Sequence, residues 1–242
     1  MELRLTKLKR RNYRLKLRFD PQYKVRVGDL TFFWSSLLKE NANILEVGAF
    51  DGRDSVIFAN QFPRGQVLAF EPDTELFVDS TNNTRMFSNV TVFPYAVSDK
   101  TELKYFYRSH GASRASGSLR EPTEHIRIHP RVTFDTSEQI PVIAIDLNSF
   151  FRDKYLEIDL LWIDAQGHEL SVLQGASDLL KNTRFIFCEV SNTRLYKNAA
   201  LFAEIADFLK DFNFELVASD ISMELNDQSG NALFRNVSIL ER

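Results

Sequence analysis

The chain has 242 residues, 44% of them hydrophobic and 26% charged, the composition of a soluble globular protein. No run approaches the roughly 18–20 uncharged apolar residues of a membrane span, and the N-terminus lacks the apolar core of a signal peptide. One cysteine, Cys188, excludes an internal disulfide framework and a cysteine-rich zinc site, which points to a reducing, cytoplasmic setting.

The net charge of −3 is unevenly spread. Eight of the 30 Lys and Arg residues and one of the 33 acids fall in residues 1–18, a segment of +7; the remaining 22 basic and 32 acidic residues give −10. Residues 1–22 are expected to form a basic arm, either a contact for an anionic partner or a solvated end packing on the acidic body. Residues 23–242 are expected to form a single domain.

Apolar residues at Leu30, Phe33, Trp34, Leu37 and Leu38 predict a helix over 28–40. A strand at Ile44–Val47 follows, then a helix at Arg53–Phe62 stopped by Pro63 and Gly65. Next come a strand at Val67–Phe70, a helix at Pro72–Met86 and a strand at Val90–Phe93. Leu103–Tyr107 alternates and suits an added hairpin. Residues 108–139 carry few strong apolar residues and read as a long loop, a lid or acceptor loop. Beyond it are a strand at Ile140–Ile145 and a short helix at Leu147–Phe151. The continuous apolar run Ile158–Ile163 marks a central parallel strand. A helix at His168–Leu180, a strand at Phe185–Val190 and a helix at Leu201–Phe212 continue the alternation. Phe214–Ala218 and Leu233–Leu240 are strand-like with only polar Ser219–Ala232 between them, which predicts an antiparallel hairpin. The expected fold is α/β: a mostly parallel sheet of the class I methyltransferase (Rossmann-like) kind, with a C-terminal antiparallel hairpin and helices on both faces.

The run Asn43-Ile-Leu-Glu-Val-Gly-Ala-Phe-Asp-Gly52 is a strand feeding a glycine turn, and Glu71-Pro72 ends the next strand. Such a unit presents a nucleoside crevice in which the distal carboxylate takes the ribose hydroxyls. A dinucleotide turn would read G-x-G-x-x-G, so that two phosphates could approach the backbone. Here Glu46, Asp51 and Asp54 surround Gly48 and Gly52; acids there repel pyrophosphate and suit a ligand with an amino group and a sulfonium, as in S-adenosylmethionine. Ala96 and Val97 lie where an adenine ring would reach. Asp164 and Glu189 end neighbouring strands at the same sheet edge, where buried acids are costly without partners.

These blocks resemble the FkbM-type S-adenosylmethionine-dependent methyltransferases over about residues 43–237. The resemblance rests on Glu46-Val-Gly-Ala-Phe-Asp-Gly, Phe70-Glu-Pro, Ala96-Val-Ser-Asp and, most specifically, Ile163-Asp-Ala-Gln-Gly-His-Glu-Leu-Ser-Val-Leu-Gln-Gly-Ala, with Asn231-Ala-Leu-Phe-Arg near the end. It implies O-methylation of a hydroxyl on a small metabolite, sugar or glycan. By analogy Glu46, Gly48, Ala49, Asp51, Gly52 and Ser55 would line the methionine end of the cofactor. Glu71 and Pro72 would hold the ribose, Ala96 and Val97 the adenine, and Asp164 would sit near the sulfonium. The family block usually reads Ile-Asp-x-Glu-Gly; here Gln166 stands for that glutamate and removes its charge. A hydroxyl acceptor needs a base, and Asp164, His168 and Glu169 are the catalytic candidates, Asp164 first by position. His110, His125 and His129 in the long loop have no convincing metal spacing, and no metal is expected. Cys188 reads as a buried small side chain. Two other functions fit parts of the chain. One is a nucleic-acid methyltransferase using the basic arm, which the acidic body argues against; the other is a non-catalytic nucleoside-binding module.

Overall fold

A computed structural model describes residues 34, 37–153, 156–219, 221 and 229–239. The basic arm and most of the 28–40 helix lie outside the described residues.

Seven strands form the main sheet. They are β1 (Ile44–Val47), β2 (Val67–Phe70), β3 (Val90–Phe93), β9 (Ile158–Ile163), β10 (Thr183–Ser191), β11 (Phe214–Ser219) and β12 (Ser229–Asn236). Their order is β11-β12-β10-β9-β1-β2-β3, parallel from β10 to β3. The expected hairpin is present: β11 and β12 pair antiparallel. The reversed strand β12 does not sit at the sheet's edge but inserts between β10 and β11.

Strand alternation sorts the apolar side chains onto two faces. On one, Leu45, Val47, Leu161, Ile163, Ile186 and Cys188 pack under α5 (Glu169–Gly175) and α6 (Phe202–Lys210). On the other, Ile44, Val67, Leu160, Trp162 and Phe187 meet Trp34 and the α1 helix (Arg53–Gln61) through Phe58. Trp162 stacks on Phe187 at 4.2 Å between ring centroids and meets Phe58 and Trp34 edge-on. Offset and edge contacts of this kind each add about 0.5–1.5 kcal/mol beyond the area they bury.

The segment between β3 and β9 is more ordered than its sequence suggests. The α2 helix (Thr74–Thr84) precedes β3; after it β4 (Ala96–Val97), β5 (Glu102–Phe106) and β8 (Ile140–Ile145) form a small sheet of order β4-β8-β5. Within 108–139, β6 (Ser109–Gly111) pairs with β7 (Val132–Phe134), and α3 (Glu124–Ile128) lies between them. This corrects the expected unstructured loop. The order comes from partners distant in sequence, which leave no local periodicity. Thr123 and His125 donate backbone N–H groups to the Leu195 carbonyl, each at 3.0 Å, and Tyr107 bridges to Ser118. The insertion is tied to α2 by Arg108, whose Nε and Nη2 grip Asp73 at 2.7 and 3.1 Å, and by Arg114, which donates to Glu75 at 3.1 Å.

Candidate active site

The carboxyl ends of β1, β2 and β9 converge on one crevice. At Gly48, φ is +90° and a Cβ would stand 2.0 Å from the Asp164 carbonyl oxygen, so only glycine lets the two strand ends approach. Phe50 holds a left-handed φ of 51°, unusual without glycine. Its N–H donates to Glu71 Oε2 at 2.9 Å, while Glu71 Oε1 accepts the Asp73 N–H at 2.8 Å. One carboxylate thus fixes two turns. Burial pushes Glu71 up to about 8, against the pull of those two N–H groups; the neighbouring Asp73 and Asp164 add to the rise.

After β9 the chain turns sharply, with Gln166 at φ 51° and Gly167 at φ 89°. Glu169 shapes this turn: its Oε1 accepts the N–H groups of Ala165 at 3.2 Å and Gly167 at 2.9 Å, and burial pushes it up to about 7. His168 is buried, with Nε2 3.0 Å from Ser98 Oγ, which donates to Asp99; burial pushes its ring down to about 3, so it is neutral. Gln166 Nε2 lies 2.6 Å from Asp164 Oδ1 and 2.8 Å from Glu189 Oε2. Tyr196 Oη lies 2.8 Å from the Ser116 carbonyl oxygen and 3.0 Å from Gln166 Oε1, and its single proton serves one of them at a time. Asp164 faces the open crevice, where water reaches it, yet protein surrounds it on most sides. That enclosure raises its pKa, against the Gln166 hydrogen bond.

The crevice, open to solvent at its mouth, leaves about 620 Å³ between its walls. Of the residues expected at the site, it brings together Gly48, Glu71, Pro72, Ala96, Val97, Asp164 and His168. Ala49, Asp51 and Gly52 frame the turn without lining it; Asp51 pairs with Arg53 at 2.7 Å, and a Cβ on Gly52 would press on Ser80. Glu46 and Ser55 do not line the crevice: both are buried, and the Ser55 hydroxyl donates to Glu46 Oε2. Glu46 alternates with Val47, so it points to the face covered by α1, away from the crevice. Sequence reasoning missed Phe50 and Leu119 on the wall and Tyr196 behind Gln166. Phe50 sits inside the glycine-turn motif but is apolar and carries no chemical signal, Leu119 belongs to no motif, and a lone tyrosine gives no signal of a partner thirty residues away. A smaller hollow of about 290 Å³ is lined by Gly167, Glu169, Glu189, Ser191 and Tyr196. Among the described residues no three His, Cys, Asp or Glu converge as metal ligands.

The model of the methyltransferase FkbM domain matches residues 46–216, from the β1 turn through the insertion to β11. The chain belongs to the FkbM methyltransferase family. Like it is the 2-O-methyltransferase NoeI of Sinorhizobium fredii, 35% identical over 190 residues that make up 76% of each chain. Among solved structures, an FkbM methyltransferase from Methylobacillus flagellatus KT aligns with a TM-score of 0.54 at 14% identity, over 84% of this chain and 46% of that longer one. A putative rRNA-methylase from Clostridium thermocellum aligns at 0.52 and 12% identity, over 89% and 98%. At such identities these two structures speak to the fold alone. In open α/β sheets ligands bind outside the carboxyl ends of the strands, the edge at which this acid-lined crevice lies.

Proposed function

We propose that this FkbM methyltransferase binds S-adenosylmethionine in the crevice and methylates a hydroxyl of a small metabolite, sugar or glycan. The single observation that carries the cofactor reading is Glu71, a buried carboxylate at the end of β2 facing the crevice, with its backbone partners already in place. The donor set fits the ligand: Glu71 accepts from ribose hydroxyls, Ala96 and Val97 offer an apolar seat for the base, and the Gly48 turn passes close to Asp164. Nothing in the turn cradles a phosphate, since Asp51 and Asp54 flank it.

When bound, S-adenosylmethionine supplies an electrophilic methyl on a cationic sulfur. The protein's part is to hold an acceptor oxygen in line with that carbon, about 3 Å away, and to take its proton. Asp164 is placed for both tasks: it lies on the crevice wall, is held by Gln166, and its enclosure makes it a stronger base than an exposed aspartate. His168 is a poorer base because its ring resists protonation, and Glu169 is committed to the turn. The name of the relative NoeI, a 2-O-methyltransferase, supports a hydroxyl acceptor. We place the acceptor between the 108–139 insertion and the hollow beside Glu189. A cytoplasmic site of action belongs to the same reading.

In this account Asp164→Asn lowers kcat by roughly 10²–10⁴-fold, the range of a positioned base, with little change in S-adenosylhomocysteine affinity by calorimetry. Equal losses in both would make Asp164 a cofactor ligand only.

A further inference from the structure

The small sheet β4-β8-β5 ends on an open edge. β5 is its last strand, and among the described residues β8 is the one strand paired with it. In an antiparallel pair, alternate residues turn both backbone groups toward the partner, and the residues between turn theirs away. Pro141, which has no N–H, stands opposite Tyr105, so Tyr105 is not a residue that exchanges two bonds with β8. Two residues on, Tyr107 exchanges both of its bonds with Ser118 instead, at 2.8 and 3.1 Å. The odd-numbered residues of this stretch therefore point along the free edge. The backbone N–H and C=O groups of Thr101, Leu103 and Tyr105 have no partner among the described residues.

The side chains alternate between the two faces. Phe106, Val142 and Ala144 face inward and pack with Ala96. Leu103, Tyr105 and Ile143 face solvent, 64, 56 and 52% exposed, with Pro141 opposite Tyr105. Large apolar side chains on an unpaired edge mark a strand that recruits another. A lysine commonly guards such an edge, but Lys104 is neutralised by Glu102 at 2.6 Å.

We propose that β5 pairs antiparallel with β5 of a second copy of this chain, about a two-fold axis at Leu103, and joins the two small sheets into one. Charge selects this partner and this register. With Leu103 opposite itself, Glu102 stands opposite Lys104 of the second copy and Lys104 opposite its Glu102. Tyr105 then meets Thr101 of the second copy, so every outward backbone group of 101, 103 and 105 is satisfied. An axis moved to Lys104 would set the two lysines against each other. It would also leave Thr101 unpaired, because Tyr107 already belongs to Ser118. Ile143 lies opposite Leu103 within each copy, so the axis at Leu103 makes one aliphatic row of Ile143 and Leu103 from both copies. A two-fold contact uses the same edge on both sides, and the assembly stops at two. The pairing does not depend on the methyl-transfer reading.

Sedimentation velocity of the full chain, from low to high micromolar concentration, is expected to show a reversible monomer–dimer equilibrium. Glu102→Lys sets like charges opposite each other at both symmetric positions, and Leu103→Lys does so at the axis. Each is expected to weaken the dimer roughly tenfold or more. Combining Glu102→Lys with Lys104→Glu rebuilds both cross-strand pairs and should restore the dimer, which packing of the apolar face alone would not do. Hydrogen exchange by mass spectrometry on the unaltered chain should slow over 101–105 as concentration rises, a readout that holds if a variant misfolds. A chain that stays monomeric throughout, a dimer indifferent to both single substitutions, or a charge swap that fails to rescue overturns the proposal. Slow exchange over 101–105 at every dilution also overturns it, since another segment of the same chain would then cover the edge.

Discussion

Glu71 shows how one residue can link folding to ligand capture. Its folded value of about 8 stands well above the ordinary 4.5, chiefly through burial. Between those values the folded ligand-free protein keeps a proton that the unfolded chain has lost. The native state therefore binds more protons, and stability falls as pH rises from about 5 to 8. Glu169, pushed up to about 7, acts in the same direction. The melting temperature of the ligand-free protein should thus decline across that interval, and Glu71→Gln should flatten the decline. An identical slope in the variant would contradict the assignment. Ribose hydroxyls donating to the ionised carboxylate would offset the same cost. At this scale the sequence was legible where a residue ends a strand inside a motif: Gly48, Glu71 and Asp164 all reach the crevice. Glu46 and Ser55 lie off the crevice wall, because a motif fixes neighbourhood while strand alternation decides which face a side chain takes.

Among the elements, the join between the insertion and α2 matters most. Asp73 caps α2, accepting the N–H groups of Glu75 at 2.8 Å and Leu76 at 3.3 Å, and its carboxylate also receives Arg108. Its own N–H belongs to Glu71, so the helix cap, the crevice carboxylate and the insertion share one residue. Arg108→Ala removes charge-assisted hydrogen bonds to a buried carboxylate. This should cost roughly 1–2 kcal/mol, or about 2–6 °C in melting temperature. Amide exchange in 106–120 should accelerate more than in the main sheet, as mass spectrometry can follow. Uniform acceleration would show that the pair supports the whole domain and not the insertion alone. The parallel strands were readable because each carries its own apolar pattern. The insertion was not: α3 is held through Leu195 and β7 packs Phe134 against Tyr196, some 60 to 70 residues away in sequence, and β6 pairs with β7.

For the whole molecule, charge argues against a nucleic-acid substrate. Outside residues 1–18 the chain is −10, and tracking a phosphate backbone takes a continuous basic surface. The +7 segment could hold an oligonucleotide only electrostatically. Titration with single-stranded RNA at low salt should therefore give weak binding that vanishes as salt approaches 0.2 M or so, without sequence preference. Tight, salt-resistant binding would favour the nucleic-acid alternative. The fold class was legible at this scale because alternating strands and helices ending in a helix-free hairpin admit few topologies; the placement of β12 between β10 and β11 was not, since it depends on pairing partners that a single sequence does not name.

The central claim is that the acid-lined crevice takes a sulfonium nucleoside. Calorimetric titration of the full chain with S-adenosylhomocysteine tests it most directly, with NAD and ATP as competitors. The account predicts one site per chain, weakened at least tenfold by Glu71→Ala and untouched by either competitor. A protein that ignores S-adenosylhomocysteine and binds NAD or ATP in its place would contradict it.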